Sequence, residues 1–210
     1  MMKKYALLIG ILFLSTFVKS QPKSNISVEG NLNYYYHFFG ETRNMFNYGF
    51  SILVYNSFGK VKAGAGIDYS TKYYYFDVTP EFSNNYLYKK EHKLQYIDFP
   101  FLVFLGNDIN KKFHASAMGG LVISKLVKYD ENSYFYDKAP VYESKNTRSN
   151  LGLSFRLGAE ISTRLGHHIF INLTPFGDYK FILTKDDNRD IPDNNISLGI
   201  GIGVEYIFGN

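Results

Sequence analysis

The sequence predicts an all-β fold: an eight-stranded antiparallel up-and-down transmembrane β-barrel. Three observations support this prediction. Apolar and polar residues alternate over long segments, and eight such segments occur along the chain. Aromatic residues and glycine are abundant, with 19 Tyr, 19 Phe and 18 Gly in 210 residues, and aromatic side chains favour the pleated surface of a sheet. The connections between the segments alternate between short and long, which is typical of transmembrane barrels.

The last strand has the clearest pattern. Its polar or small face consists of Asn195, Ser197, Gly199, Gly201, Gly203, Glu205 and Ile207. Its apolar face consists of Ile196, Leu198, Ile200, Ile202, Val204, Tyr206 and Phe208. This is the two-residue period of a β-strand. The run is longer than the roughly 5–6 residues of an ordinary strand and matches the roughly 9–11 that a tilted membrane strand needs.

Seven further segments share this alternation. The least regular of them covers residues 169–181, because Pro175 and Gly177 interrupt its pattern. The apolar faces of the seven begin at Ile26, Tyr48, Val61, Ile97, Phe113, Leu153 and Ile169. With the last strand, the sequence therefore predicts eight strands.

Two classes of connection alternate along the chain. Short ones are predicted at residues 56–60, 106–112 and 163–168. Longer ones are predicted at residues 37–45, 76–91, 127–147 and 184–194. In barrels of the outer membrane, short turns face the periplasm and long loops face the outside. An even number of strands then places both ends of the barrel on the periplasmic side.

The first twenty residues predict a cleaved secretory signal peptide. Lys3 and Lys4 precede an apolar run over residues 5–18, and Val18 and Ser20 occupy the −3 and −1 positions of a cleavage site. The run falls short of the roughly 20 residues that a membrane-spanning helix needs. The predicted domains are a signal peptide at residues 1–20 and an outer-membrane β-barrel at residues 21–210.

Charge and cysteine content exclude some classes of function. Without Lys3, Lys4 and Lys19, the mature chain has 20 basic and 19 acidic residues. This near balance gives no electrostatic reason to expect binding of nucleic acid. The chain contains no cysteine, so it has neither disulfides nor thiolate chemistry.

Two kinds of barrel fit the alternation. A secreted, soluble, lipocalin-like barrel would turn its apolar face inward, whereas a membrane barrel turns that face toward lipid. Here the apolar face is almost free of charge, while Lys62 and Arg156 fall on the polar face. An Arg or Lys facing mid-bilayer lipid would cost about 2–4 kcal/mol. Aromatic residues cluster near strand ends, at residues 34–36 and 73–76, as interface girdles do. These features favour the membrane barrel.

Three sequence features resemble one family. A Tyr-X-acid-X-Pro strand at residues 96–100 precedes Gly119-Gly120-Leu121 on the next strand, and the last strand is rich in glycine. In these features residues 21–210 resemble the small outer-membrane β-barrels of Bacteroidetes-type bacteria, often labelled PorT-like or "outer membrane protein beta-barrel domain". The resemblance implies an outer-membrane location and no catalysis. One type of member is linked to type IX protein secretion.

The end of the chain resembles the C-terminal signal that the barrel-assembly machinery recognises. The matching residues are Gly203, Tyr206 and Phe208. The sequence departs from that signal because Gly209 and Asn210 follow the last aromatic residue, where many such chains end. The barrel-assembly machinery and outer-membrane lipid are therefore the expected partners.

Seven charged residues lie on the predicted inward face. An eight-stranded barrel has an interior that side chains fill, so charges there must be paired and hydrogen-bonded. We expect a polar plug, in which Arg156 bridges Glu160, Asp98 and Glu205, and we favour it over an ion pathway. The seven residues are Glu29, Lys62, Asp68, Asp98, Arg156, Glu160 and Glu205.

Catalytic and metal sites have weak support in the sequence. His114 and Ser116 share one polar face and Glu160 lies on the next strand, which are the residue types of a hydrolytic triad. No nucleophile elbow surrounds Ser116, so polar packing is the favoured interpretation. His167 and His168 lack further ligands at their turn, and the aspartates of residues 186–193 do not complete a calcium-loop motif. We therefore predict no catalytic residue, no metal site and no cofactor.

The predicted long loops are rich in tyrosine, which provides contact area at low entropic cost. The sequence leaves two roles open for these tyrosines: binding of a surface ligand or partner protein, or packing of the loops on one another. The candidates for binding are Tyr86, Tyr88, Tyr134, Tyr136 and Tyr142. The sequence predicts a non-enzymatic outer-membrane protein with a structural or binding role. The alternatives are a small channel or secretion-machinery component, and an outer-membrane lipid-modifying enzyme.

Overall fold

The computed structural model describes residues 25–38, 43–44, 47–77, 87–106, 111–135, 139–146, 151–182 and 194–208. The predicted signal peptide lies outside these residues. Among them, no helix is long and apolar enough to cross a bilayer. The described residues form ten strands: β1 Asn25–Phe38, β2 Arg43–Asn44, β3 Asn47–Phe58, β4 Val61–Asp77, β5 Leu87–Leu105, β6 Phe113–Phe135, β7 Val141–Asn146, β8 Leu151–Arg164, β9 Ile169–Ile182 and β10 Asn194–Phe208.

Eight long strands close into an antiparallel barrel. Each of β1, β3, β4, β5, β6, β8 and β9 pairs with the next in this series, and β10 pairs with both β9 and β1. The closing seam runs without a break from the Ile26–Phe208 pair to the Phe38–Ile196 pair. The predicted eight-stranded fold is confirmed. The short strands β2 and β7 add to β4 and β6 at the end of the barrel that carries the longer connections, here called the loop end.

The apolar face of every long strand points outward. On β10, Ile196, Ile200 and Ile202 are 51%, 40% and 59% exposed, whereas the inward-facing Arg156 and Glu160 of β8 are 6% and 0% exposed. A soluble protein rarely exposes an apolar patch larger than a few hundred Å². The soluble, lipocalin-like alternative is therefore wrong, because the apolar residues form the outer surface rather than the core.

Aromatic residues mark both edges of this apolar belt. At the turn end, which carries the short connections, Phe113, Tyr206 and Phe208 are exposed. One detail differs from the expected girdle at residues 34–36, because Tyr35 points inward and is 2% exposed. The strand period requires this, since neighbouring residues face opposite ways. At the loop end the exposed tyrosines are Tyr34, Tyr36, Tyr48, Tyr69 and Tyr179.

Two prolines lie inside the sheet. Pro175 is part of β9, which is continuous despite the weak pattern there. On the described ladder between β8 and β9, pairing stops at Gly158–Phe176 and resumes at Ile161–Leu173 in the same register. Pro100 of β5 lies at a similar gap in its ladder with β4. Proline has no N–H to donate, so each ladder is interrupted beside the ring without a change of register.

The short turns depend on glycine at two positions. Gly59 has φ +59° and Gly106 has φ +95°, in the left-handed region where glycine carries no Cβ penalty. The two turns are joined, because the Gly106 amide donates to the Lys60 carbonyl at 2.9 Å. The β3–β4 and β5–β6 turns are therefore hydrogen-bonded to each other at the turn end.

Strands β5 and β6 continue past the apolar belt. They have 19 and 23 residues, about twice the 9–11 that a tilted membrane strand needs. Gln95 pairs with Lys128 and Tyr96 with Leu126, so Val127 is an extra residue in β6, a β-bulge. The long loops predicted at residues 76–91 and 127–147 are thus partly wrong. Residues 87–91 and 127–135 are strand, and β7 lies within the second predicted loop.

Candidate functional site

Near the turn end, one lysine holds three carboxylates inside the barrel. Lys62 Nζ lies 2.8 Å from Glu160 Oε1, 3.2 Å from Glu205 Oε2 and 3.9 Å from Glu29 Oε2. These four residues, the lysine–glutamate cluster, come from β1, β4, β8 and β10 and are all buried. Inward side chains of different strands meet at the same depth in the barrel. One ammonium can therefore pair with carboxylates that are distant in sequence.

Aromatic rings complete the surroundings of this lysine. Lys62 Nζ lies 4.5 Å from the ring centroid of Tyr55 and 4.5 Å from that of Phe104. The two rings meet edge to face, with centroids 5.4 Å apart. A cation is attracted to the face of an aromatic ring, and the attraction is larger when water is absent. The rings therefore help to offset the cost of burying the ammonium.

The three glutamates have the spacing of a metal site. One carboxylate oxygen of each of Glu29, Glu160 and Glu205 lies within 4.8 Å of the other two. Lys62 Nζ lies within 4.0 Å of all three side chains and takes the central position that a metal ion would need. A metal would have to displace this ammonium, so the arrangement is that of a buried ion-pair cluster.

A second cluster lies farther from the turns and is centred on Arg156. Its guanidinium donates to Asp178 twice, from Nε to Oδ1 at 2.7 Å and from Nη2 to Oδ2 at 2.8 Å. Nη2 also lies 4.0 Å from Asp68 Oδ2, which accepts a hydrogen bond from the Tyr35 hydroxyl at 2.7 Å. The guanidinium stacks on the Phe176 ring, 4.3 Å from its centroid.

The partners that we expected for Arg156 are wrong. Glu160 and Glu205 pair with Lys62 instead, and Arg156 pairs with Asp178, which the sequence analysis did not single out. Glu160 is four residues farther along β8, about 13 Å at the rise of a strand, whereas Asp178 is directly opposite Arg156 on β9. Asp178 is an even number of residues from the inward-facing Asn172 and Phe176. The alternation of β9 alone would therefore have indicated that Asp178 faces inward.

A third group of inward charges lies beyond Arg156. Lys180 Nζ lies 3.5 Å from the ring centroid of Tyr96, and Lys72 Nζ lies 5.1 Å from it. Asp98, the remaining predicted member of the plug, accepts a weak hydrogen bond from Ser70 at 3.4 Å. All seven predicted charged residues are therefore buried, in clusters at different depths rather than in one network.

Little space separates the first two clusters. A cavity of about 20 Å³ lies between them, lined by Glu29, Asn31, Tyr55, Arg156 and Phe176 among others. A cavity needs about 10–15 Å³ to hold one water molecule, so this one has room for little more. Large side chains, including Phe104 and Phe170 at 1% exposure, fill the surrounding interior.

The candidate triad does not assemble. The Glu160 carboxylate is engaged by Lys62 and by the Ser162 hydroxyl, at 2.8 Å and 3.3 Å. Ser116 Oγ has no hydrogen-bond partner within the described part of the chain, so no base activates it. His114 instead packs against the Phe170 ring, with centroids 5.7 Å apart. A nucleophile needs a base within hydrogen-bond reach, and Ser116 lacks one.

Comparison with known proteins supports the architecture. No protein-family model matches the sequence, and no curated protein matches it. Among solved structures, a major outer membrane protein of Thermus thermophilus is 10% identical with a TM-score of 0.52, covering 88% of this chain and 99% of that one. Neisserial surface protein A is 11% identical with a TM-score of 0.46, covering 89% and 99%. OprG of Pseudomonas aeruginosa is 12% identical with a TM-score of 0.42, covering 89% and 96%.

The chain has the fold of a small outer-membrane β-barrel. The closed sheet and the Thermus structure show the fold, and the exposed apolar belt has the surface chemistry that lipid requires. The protein is therefore placed in the outer membrane. In this architecture the turn end faces the periplasm and the loop end faces the outside of the cell.

At the loop end, strand segments beyond the belt form a structure here called the extension: residues 87–95, 126–135 and β7. Side-chain bonds order it. Glu91 accepts hydrogen bonds from Lys89 at 2.6 Å and from the Tyr134 hydroxyl at 2.7 Å. The bond to Glu91, followed by partial burial, raises the pKa of Tyr134 to about 12. Burial acts to raise the pKa of Glu91, but the bonds from Lys89 and Tyr134 outweigh it and hold that pKa below its usual value.

The tyrosines predicted for loops have mixed positions. Tyr134 is in β6 and half-buried, and Tyr142 is in β7 and 68% exposed, so both belong to strands rather than loops. Tyr88 is in β5, and Tyr86 and Tyr136 lie outside the described residues. The loop assignment failed because β5 and β6 continue past the membrane and the bulge at Val127 breaks the sequence period.

The residues of the predicted assembly signal lie on β10. Tyr206 and Phe208 face outward at the periplasmic edge, with ring centroids 4.8 Å apart. Gly203 faces inward beside Asn31 and Glu29, and a Cβ at this position would lie only 2.9 Å from Glu29 Oε1. The exposed rings can be reached from lipid, while Gly203 makes room for the buried side chains of β1.

The three glutamates of the lysine–glutamate cluster are not equivalent, and this gives a prediction. Glu29 Oε2 has no hydrogen-bond partner among the described residues, whereas Glu160 receives two bonds from Lys62, at 2.8 and 2.9 Å. E29Q should change the free energy of unfolding by less than about 1 kcal/mol, because it removes an excess negative charge. E160Q should lower it by about 2–3 kcal/mol, because it weakens charged hydrogen bonds. Urea titrations followed by the gel mobility of the unboiled protein measure both, and equal losses would contradict the prediction.

Proposed function

We propose that this protein is a non-enzymatic, non-conducting outer-membrane barrel whose extension binds polyanionic molecules at the cell surface. The observation that carries the proposal is the extension itself: β5 and β6 continue beyond the apolar belt and carry ion pairs there, and β7 pairs with β6. A barrel that served only to fill the membrane would have no need of strands twice the length of a membrane span.

The charges of the extension favour an anionic ligand. The extension contains five lysines and four acidic residues, and Lys125 adds one more lysine where the extension meets the belt. Lys125 and Tyr142 are exposed, so this end of the barrel presents both a cationic and an aromatic side chain. Tyrosine supplies contact area and lysine supplies charge, which suits a flexible polymer that carries sulfate, phosphate or carboxylate groups.

The filled interior argues against a channel. The lysine–glutamate cluster, the Phe104 ring and the Arg156–Phe176 stack cross the barrel at successive depths, and the cavity between them has about 20 Å³. Hydrated ions need a continuous water-filled path, which side chains occupy in a barrel of eight strands. We expect no stepwise conductance when the purified barrel is placed in planar lipid bilayers. Steady single-channel steps would favour the channel.

Polyanion binding is tested on intact cells that display the protein. Fluorescent dextran sulfate should bind to cells with the wild-type barrel, and neutral dextran of the same size should not. The variant K89Q/K90Q/K128Q should bind at least five-fold less dextran sulfate. Its three lysines form partly exposed ion pairs worth at most about 1 kcal/mol each, so the barrel should still fold.

The matched control changes three lysines of the periplasmic turns, in the variant K60Q/K111Q/K112Q. It loses the same formal charge at positions that a large polymer outside the cell cannot reach, so its binding should equal that of the wild type. Equal binding of dextran and dextran sulfate, or equal losses in both variants, would contradict a binding role of the extension.

We further propose kinship with the PorT-like barrels of Bacteroidetes-type bacteria. The motif of residues 96–100 supports this, because Tyr96 and Asp98 face the interior and Pro100 lies at a gap in the ladder with β4. Each of the three has a structural reason to be retained. Related sequences that keep all three in this order would support the kinship, and free variation at Asp98 and Pro100 would contradict it.

A further inference from the structure

At the turn end, backbone hydrogen bonds join the described residues of the three short turns. The Gly106 amide donates to the Lys60 carbonyl at 2.9 Å, which joins the β3–β4 turn to the β5–β6 turn. The Arg164 amide donates to the Lys112 carbonyl at 2.7 Å, which joins the β5–β6 turn to the β8–β9 turn. Residues far apart in sequence are thus neighbours on one rim, here called the basic rim: residues 59–60, 111–112 and 164–168.

The basic rim carries positive charge. Lys60, Lys111 and Lys112 are exposed, and Arg164 is half-buried with its guanidinium 5.2 Å from the ring centroid of Phe170. Its residues include His167 and His168 but no aspartate or glutamate. Asp108 is the one acidic residue of the β5–β6 connection, and it lies outside the described residues. Three exposed lysines therefore share a small area, and Arg164 lies on the inward side of β8 beside the buried Phe170 ring.

Large apolar side chains lie directly beside these cations. Phe113 follows Lys112 and is 62% exposed, Leu165 follows Arg164 and is 65% exposed, and Leu105 ends β5 at 57% exposure. A soluble binding surface would hide such groups, whereas at the edge of a bilayer they enter the acyl layer. The exposed lysines next to them can extend their charged ends to the level of the headgroups.

We propose that the basic rim binds anionic phospholipid headgroups of the inner leaflet of the outer membrane. The cations contact the phosphates, and Leu105, Phe113 and Leu165 hold the adjoining acyl chains. Each lysine or arginine near an anionic membrane surface contributes about 1 kcal/mol, roughly five-fold in affinity, so several together select anionic over zwitterionic lipid. This site is at the opposite end of the barrel from the extension and does not depend on it.

Native mass spectrometry of the purified barrel tests the proposal. The protein is released from micelles that contain equal amounts of phosphatidylglycerol and phosphatidylethanolamine with identical acyl chains. The wild type should retain phosphatidylglycerol at least five-fold more often than phosphatidylethanolamine. K60Q/K111Q/K112Q should retain the two lipids within two-fold of each other, and K60R/K111R/K112R should keep the preference. Because the lysines are exposed, all variants should show the gel mobility shift of a folded barrel.

The extension variant K89Q/K90Q/K128Q separates this site from the extracellular one. It should keep the wild-type preference for phosphatidylglycerol while losing dextran sulfate binding. No preference in the wild type, or an unchanged preference in K60Q/K111Q/K112Q, would overturn the proposal. An equal loss in the extension variant would also overturn it, because the effect would then reflect net charge. Soluble poly-glutamate and free phosphatidylglycerol are compared as competitors for the bound lipid. If poly-glutamate displaced bound phosphatidylglycerol equally well, the rim would be assigned to a soluble polyanion instead.

Discussion

K62M should be among the most damaging single substitutions in this barrel, lowering the free energy of unfolding by about 3–5 kcal/mol. Removal of one partner from a buried ion pair leaves an uncompensated charge, and here three carboxylates would face one another. Methionine has nearly the volume of lysine and is accommodated by the Tyr55 and Phe104 rings, so the loss would come from charge rather than from packing. Urea unfolding in lipid vesicles, followed by tyrosine fluorescence, measures the change.

A rescue experiment separates charge from packing for Lys62. In K62M/E160Q/E205Q two of the three carboxylates become neutral amides, and most of the lost stability should return. E160Q/E205Q with Lys62 intact is the reference, because its ammonium retains only Glu29, 3.9 Å away. If the triple variant were as unstable as K62M, the loss would arise from the shape of the methionine side chain.

G199V should also have a large effect and destabilise the barrel by about 3 kcal/mol. A Cβ on Gly199 would lie 2.6 Å from Cε2 and 3.0 Å from Cε1 of Phe176, well inside van der Waals contact. The Phe176 ring cannot move away, because the Arg156 guanidinium stacks on it and Tyr35 meets its edge, with ring centroids 5.5 Å apart. The same urea titration measures the loss.

The control for Gly199 is Gly30 of β1. A Cβ on Gly30 would meet no atom within 4 Å. Both substitutions place valine in a strand, where its intrinsic preference is favourable, but Gly199 faces the packed interior and Gly30 faces outward into open space. G30V should leave stability within about 0.5 kcal/mol of the wild type. Similar losses in the two variants would show that the close packing of Phe176 is not the cause.

The direction in which each strand faces could be predicted from the sequence. The alternation on β10 identified Ile200 as outward and Glu205 as inward, and the structure places them so. The reason is physical. A charged side chain that faced lipid would cost several kcal/mol, so charged residues occupy only the inward positions of the alternation over the whole membrane span. The same argument identified the inward positions of Lys62, Arg156 and Glu160.

The extension could not be predicted because its strands lose the simple period. The bulge at Val127 shifts β6 by one residue, so that Leu126 and Tyr129, three positions apart, both face inward. Beyond the bilayer the outward residues are also polar, as Lys93 shows. With water on the outside, no penalty enforces an apolar outer face, and the pattern that identifies a strand disappears.

Ion-pair partners could not be predicted because they depend on register and depth. Arg156 and Glu160 lie on the same face of β8, which makes them look like partners in a sequence. The pairing of β8 with β9 sets Asp178 opposite Arg156, and the curvature of the barrel brings Lys62 of β4 to Glu160. Neither pairing follows from alternation alone. Alternation predicts which side of a strand a residue faces, but it does not predict which residue of another strand lies next to it.

The pairing of β1 with β10 determines when folding of the barrel can be completed. Every other pairing in the barrel joins strands that are close in the chain, so those hairpins can form as soon as both arms exist. The contact between Ile26 and Phe208 spans nearly the whole polypeptide and must come last. Until then the nascent sheet has two unsatisfied edges, which can recruit other chains. We infer that both free edges must be shielded from other chains until the barrel closes.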